Sequence, residues 1–219
     1  MLTVVVPVLD DDVALARLIS WLDAYNLNAI VVDGGLAGDV SRPLAQPHRR
    51  VHRPPSRGGQ VAAGVKLAHN QWVWVLHADT QPSAAAYVYL QQVIAAQHPV
   101  WGRFDITLEG LPWLAWFMNW RSRLTKICTG DQGMFFHQSL LHDVGGYPDL
   151  PLMEDVEVSR RLKRLHKKSF RAPKLNVEAS TRRWRQRGIV LTIFSMWSFR
   201  WQYYFGVKAE TLAAKYYDA

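Results

Sequence analysis

The chain is short of the features that would classify it at once, and each shortage excludes something. Its 219 residues include one cysteine, Cys128, so it has no internal disulfide; this fits a reducing compartment, with Cys128 expected to pack in the interior. The longest uncharged apolar stretch, Ile189 to Phe199, falls well short of the ~20 residues of a bilayer-spanning helix. Met1 leads straight into Leu2-Thr3-Val4-Val5-Val6 with no basic stretch, so no secretory leader is expected. No Gly-x-Gly-x-x-Gly follows the first apolar run, and no Gly-Lys-Ser/Thr loop occurs anywhere. Dinucleotide and Walker-type sites need those glycines for close backbone approach to phosphate, so any nucleotide must be held by another scheme. Acidic residues are the minority: Asp plus Glu number 18 against 26 Lys plus Arg, giving a formal charge of +8. The basic excess lies mostly after Arg160. That balance suits nucleic acid, an anionic lipid surface or a phosphate-bearing small molecule, and does not choose among them.

What is present begins with core. Apolar residues make up 49% of the chain, and the length suits one domain. The organising stretch is Trp72-Val73-Trp74-Val75-Leu76-His77-Ala78-Asp79-Thr80. Five large apolar residues without a charge suit a strand buried on both faces of a parallel sheet. Pro82 is expected to stop further pairing. An imidazole and a carboxylate then sit where a central strand ends, the edge at which open α/β sheets bind ligands. Asp79 and Thr80 equally suit the cap of a helix starting near Ser83.

Around that strand the pattern alternates. Leu2 to Val6 reads as the first strand, ending on Pro7. Asp10-Asp11-Asp12 suits a helix start, and Ala14, Leu15, Leu18, Ile19 and Leu22 share one helical face. Ala29 to Val32 is the second strand, which completes a βαβ unit. Asp33 ends it, placed either to accept from a base or ribose hydroxyl or to serve as a turn residue beside Gly34-Gly35. A loop with a short strand near Val51 leads to Arg57-Gly58-Gly59-Gln60. There the glycines admit a ligand to the backbone and Arg57 suits phosphate, or the stretch is a plain helix start. Helices are expected over Val61 to His69 and Ser83 to Ala96, and strands over Val100 to Leu108, Met134 to Phe136 and Val177 to Ser180. Glu154-Asp155 opens a helix with Val158, Leu162 and Leu165 on one face. Ile189 to Tyr204 is aromatic-rich and suits a helix on the core or one lying in a membrane interface.

Taken in order, Pro7, Val32-Asp33-Gly34-Gly35, Arg57-Gly58-Gly59-Gln60, His77-Ala78-Asp79, Gly130-Asp131-Gln132, Gly145-Gly146-Tyr147, Met153-Glu154-Asp155 and Arg182-Arg183-Trp184 resemble a glycosyltransferase of the family 2 type with the GT-A fold. The set is most similar to a small bacterial subgroup associated with arsenosugar biosynthesis. The resemblance implies an α/β three-layer sandwich with a mostly parallel central sheet. It implies a transferase domain over residues 1–188 and a helical segment, 189–219, packed on it. It implies inverting transfer from a nucleoside diphosphate sugar to a hydroxyl acceptor, with a divalent metal, Mn²⁺ or Mg²⁺. Asp79 and His77 stand at the metal motif, His77 where the family carries an acid. Pro7, Asp33, Arg57, Gln60, Ala78, Arg182 and Arg183 stand at donor positions, and Gly130, Asp131, Gln132 and Trp184 at acceptor positions. Asp155 matches the catalytic base, with Glu154 beside it.

The expected partners are the donor and an unidentified hydroxyl acceptor, with peripheral membrane contact and no nucleic acid; the expected location is cytoplasmic, on or near the inner membrane face. Two other readings stand beside this one. One is a sugar-nucleotide pyrophosphorylase, against which Pro7 and the three aspartates argue. The other is a non-catalytic binder of anionic membrane or nucleic acid, suggested by the charge.

Overall fold

The computed structural model describes residues 1–35, 44–182 and 188–217. Four parallel strands form the centre: β1 (Leu2–Val8), β2 (Asn28–Asp33), β3 (Arg49–His52) and β4 (Trp72–Val75), in the order β3-β2-β1-β4. Beyond β4 the sheet continues through β8 (Phe135–His137), antiparallel to it, then β6 (Trp101–Gly102) and β9 (Phe170–Arg171). A second, smaller sheet joins β5 (Thr80–Pro82), β10 (Asn176–Ala179) and β7 (Asp105–Leu108).

Side chains alternate across the main sheet, so each strand feeds two cores. Val4, Val6 and Val8 of β1 pack with Leu15, Leu18 and Leu22 of α1 (Asp12–Ala24) and Leu90 of α3 (Ala84–Ala95). Val5 turns the other way, toward Val61 and Val65 of α2 (Arg57–Leu67) and Val158 and Leu162 of α6 (Glu154–His166). The sheet is thus covered on both faces, which is why its strands read as unbroken apolar runs.

Several expectations shift. β1 runs through Pro7 to Val8. The backbone of Val5 faces β4, where its carbonyl accepts from Leu76 N. Pro7, two residues on, faces the same way, but β4 has ended at the Val5–Val75 pair, so the missing N–H forfeits no ladder bond. Pro82 does not end pairing: it lies opposite Val177 in β5, an edge strand, where proline is tolerated. Val100 to Leu108 is two strands in different sheets. The chain changes sheet at Arg103, which is fully buried and donates to the carbonyls of Phe104 and Asn119 and to Asp105. Helix α2 begins at Arg57, earlier than expected, because Ser56 caps it by accepting from Gly59 N. Leu165 is 54% exposed, because it lies in the last turn of α6, past the residues that cover the sheet.

Two helices close the chain, α7 (Ile189–Tyr204) and α8 (Ala209–Tyr217). Ile189 and Ile193 pack on Leu111 and Leu114, at the start of α4 (Pro112–Thr125). Met196, Phe199 and Tyr203 join Leu212 and Tyr216 over Leu152 and Met153, directly before α6. No helix among the described residues is long and apolar enough to cross a membrane.

Candidate functional site

The carboxyl ends of β1, β2 and β4 point to one edge, and chemistry gathers there. Its hub is Arg57, the first residue of α2. Its Nη2 lies 2.6 Å from Asp131 Oδ1 and 3.1 Å from His77 Nε2, and its Nε lies 3.8 Å from Glu154 Oε1. Burial weighs against the charge on Arg57, but Asp131, Glu154 and Asp155 outweigh it and hold the guanidinium protonated, above the usual arginine range. His77 shows the other side of this arrangement. Burial, then the charge of Arg57, push it down to about 3, so the ring is neutral. Because Arg57 is always a donor, Nε2 of His77 must be the acceptor and Nδ1 carries the proton. The lone pair that would meet a metal at Nε2 is thereby taken.

Glycines let these groups converge. A Cβ on Gly58 would stand 2.1 Å from Leu150 O and 2.5 Å from Glu154 Cβ, and one on Gly130 would stand 2.5 Å from His77 Nε2. The start of α2 can therefore lie against the turn before α6, and the Gly130–Gln132 3-10 turn against His77.

Asp155 is fixed at the first turn of α6. Its Oδ2 accepts from Gly130 N at 2.9 Å and its Oδ1 from Val156 N at 2.7 Å. Met153 enters the helix with φ 65°. Glu154 is buried, and burial, then the charge of Asp155, raise its carboxyl to about 8 against the pull of Arg57. Of the two adjacent carboxyls, Asp155 is the more exposed.

On the other side of Asp79 lies a cavity of about 780 Å³, lined by Asp11, Arg17, Ala78, Asp79, Glu109 and Arg182 among others. Burial in the cavity wall, then the charge of Asp131, raise the Asp79 carboxyl. Arg182 pairs with Asp11 at 2.6 Å, while Asp11 also caps α1 by accepting from Ala14 N. Arg183 and Trp184 lie outside the described residues.

Some residues expected at the site hold the frame. Both N–H bonds of the Gln60 side chain are spent on Val8 O and Val32 O, each at 2.8 Å, so it staples β1 to β2. Gln132 is used up in the same way, donating to Asn119 and Ser122 and accepting from Thr129 N. Asp33 accepts from Gly35 N at 2.8 Å and is clamped by Arg50. Sequence reasoning passed over Arg50, which sits in a stretch that reads as loop; it passed over Asp11 as more than a cap, and over Arg121 and Arg200. The signal available for Arg200 was a single arginine breaking an aromatic-rich run, and Arg121 closes another such run.

Among the described residues no three His, Cys, Asp or Glu side chains converge as a metal cage. A carboxylate on the wall of a roomy cavity still fits a divalent ion completed by substrate phosphates, the usual manner of Mg²⁺-type ions. Asp79 meets that description and His77 Nε2 does not.

No protein-family model matches the sequence, and no curated protein matches it. Solved structures do. The mannosyltransferase PcManGT from Pyrobaculum calidifontis, in complex with GDP-Man and Mn²⁺, aligns over 91% of this chain and 60% of its own, with TM-score 0.62 and 17% identity. S. aureus TarS 1-349 in complex with UDP-GlcNAc aligns over 83% of this chain and 58% of its own, with TM-score 0.60 and 14% identity. A mycobacterial protein aligns over 82% and 65%, with TM-score 0.58 and 13% identity. The chain therefore spans roughly three-fifths of the length of these solved chains. An α/β architecture with a mostly parallel central sheet, aligned with these structures over most of its residues, is the GT-A fold.

Proposed function

We propose that the chain is an inverting, metal-dependent glycosyltransferase of the family 2 type, moving a sugar from a nucleoside diphosphate sugar to a hydroxyl acceptor. The observation that carries this reading is the division of labour around Arg57. On one side lies a large polar cavity with Asp79 and Arg182; on the other, the fixed carboxylate of Asp155; between them, the Arg57–Asp131 pair. The neighbours in fold that were solved with UDP-GlcNAc and with GDP-Man and Mn²⁺ support a nucleotide-sugar donor.

In this mechanism the donor lies in the cavity, its diphosphate met by Arg182, whose planar fork suits phosphate oxygens once it leaves Asp11. A divalent ion, Mn²⁺ or Mg²⁺, bound through Asp79 would neutralise the charge that develops on the leaving diphosphate. Asp155 takes the acceptor proton as the hydroxyl oxygen attacks the anomeric carbon. The bond to the diphosphate breaks on the opposite face, which inverts that centre. The Gly130 and Val156 N–H groups hold the carboxylate in place. Arg57 ties the acceptor-side Asp131 to the donor-side loop, so the two halves are positioned together. Arg183 and Trp184 are assigned to donor diphosphate and acceptor, as the motif implies. Residues 1–188 are the transferase domain, with 189–219 packed on it. By its motifs the chain groups with the bacterial subgroup associated with arsenosugar biosynthesis. It works on the cytoplasmic side, in contact with anionic lipid.

The test is a thermal-shift panel of UDP, GDP, CDP and ADP with and without Mn²⁺ or Mg²⁺. One diphosphate should stabilise the protein only with metal, and Asp79→Ala should abolish the metal-dependent part. Stabilisation by none of them, with tight and salt-sensitive retention on heparin, would replace the enzyme with a binder of polyanions.

A further inference from the structure

Two arginines outside the Arg57 network each hold a buried guanidinium nitrogen that has no partner. Arg121 of α4 and Arg200 of α7 make no ion pair among the described residues, and Arg121 Nη2 and Arg200 Nε are buried atoms that reach no acceptor. They belong to one place. Phe117 and Trp197 stack with ring centroids 6.0 Å apart, which brings the two helices face to face. Arg121 follows Phe117 by four residues and Arg200 follows Trp197 by three, so both lie on the faces that meet. Arg200 also lines a crevice of about 20 Å³ with Arg57, Glu154 and Asp155, closed by Met196 and Tyr216.

The electrostatics agree with the geometry. Burial, then the charge of Arg200, push Arg121 down to about 10, with Asp155 opposing. Burial likewise lowers Arg200, opposed by Asp155 and Asp131. Two cations coupled through their charges, each with a buried nitrogen that lacks an acceptor and neither in contact with a carboxylate, are unfavourable unless an anion joins them. Neither residue lines the donor cavity, so the donor's diphosphate is not that anion. The crevice has room for about one water-sized group, the space that one phosphate oxygen takes.

We propose that Arg121 and Arg200 bind a phosphate group carried by the acceptor, and so place the acceptor hydroxyl against Asp155. This rests on the transferase reading and narrows it: the acceptor is a hydroxyl compound bearing phosphate, free or as a lipid headgroup. Two guanidinium forks match the tetrahedral oxygens of that group better than they match a neutral polyol.

The test uses the full chain, saturated with the stabilising nucleoside diphosphate and Mn²⁺ so that the donor site is filled. Glycerol phosphate should raise Tm further and glycerol should not. In Arg121→Met and Arg200→Met the half-saturating concentration of glycerol phosphate should rise at least tenfold. The same variants should melt at or above wild type without ligand, because a charged group with a buried, unpartnered nitrogen is gone; a structural role for these arginines predicts the reverse. If a Met variant does not fold, Arg121→Lys and Arg200→Lys keep the charge and lose the fork, and should show the same weakening. Vesicle flotation separates the sources: phosphatidylglycerol vesicles retaining wild type better than Arg200→Met assign a lipid headgroup, and a response confined to glycerol phosphate assigns a soluble acceptor. Equal responses in wild type and variants, or none in wild type, overturn the subsite. A missing nucleoside diphosphate response overturns the transferase reading instead, so the two failures are told apart.

Discussion

Glu154 and Asp155 are neighbours in sequence with opposite surroundings, and that contrast yields two predictions. The Glu154 carboxyl is raised from 4.5 to about 8, so between those values the folded protein keeps a proton that the unfolded chain has released. The contribution of Glu154 to stability therefore falls as pH rises through that window and is lowest above it. Glu154→Gln resembles the protonated form at every pH. Its Tm should gain on wild type progressively from pH 5 to pH 8.5; a difference that stays flat would mean that the side chain ionises normally. Asp155→Asn tests the base. Asparagine has one side-chain oxygen, so it keeps only one of the two acceptances from Gly130 N and Val156 N, a loss of about 1 kcal/mol. The variant should still fold and bind nucleoside diphosphate, and should lose transfer by about 10²-fold or more, the scale of a positioned base. Turnover close to wild type would pass the role to Glu154. Residue types at the site were legible in the sequence and their duties only partly so. Gln60 and Gln132 look like ligand contacts because a polar residue beside glycines looks exposed. Only the fold reveals that strand and loop ends meet there and consume every amide hydrogen.

Elements were legible where periodicity and caps agreed, as with Ser83 accepting from Ala86 N at the start of α3. They were misread where a tertiary partner altered the rule: Pro82 lies at an edge, and Arg103 moves the chain from one sheet to another. The contact between α2 and the turn before α6 left only a faint trace, the Gly58-Gly59 pair. It matters at this scale because it sets the distance between Arg57 and Glu154. A Cβ on Gly58 would press on the Leu150 carbonyl at 2.1 Å, and a backbone atom cannot swing aside. Gly58→Ala should therefore destabilise by about 2–3 kcal/mol, and should slow transfer beyond what the stability loss explains, because α2 and α6 must separate. Urea melts give the first quantity, and turnover at a temperature where the variant is fully folded gives the second. Gly145→Ala is the control for a surface glycine: a Cβ there meets nothing within 4 Å, and its φ of +83° costs strain without moving the site. If Gly58→Ala transfers as well as Gly145→Ala, the helix contact does not set the site.

At the scale of the whole molecule, α4 and α7 present a surface rich in exposed aromatic side chains. Trp113, Trp116 and Trp120 of α4 are half or more exposed, as are Phe194, Trp201 and Tyr204 of α7, Tyr204 at 81%. The two sets adjoin through the Phe117–Trp197 stack, so they form one aromatic ridge. The sequence reading did not single out the α4 tryptophans, and only the fold shows how much of them is left uncovered. Exposed tryptophan and phenylalanine on a protein of net charge +8 fit a lipid surface with anionic headgroups, where rings enter the interface and basic side chains meet phosphate. The ridge flanks Arg121 and Arg200, so docking would bring the membrane surface to the acceptor side and leave the cavity beside Asp79 and Arg182 open to the donor. Flotation with phosphatidylglycerol vesicles at low salt should carry the protein upward. About 0.5 M salt should release part of it by screening the charges, and the remainder reports the aromatic contribution. Replacing Trp116, Trp120 and Trp201 together with serine should abolish that salt-resistant fraction while leaving the nucleoside diphosphate response in place. A triple variant that floats like wild type, or a wild type that stays at the bottom at low salt, would assign the ridge to something other than lipid.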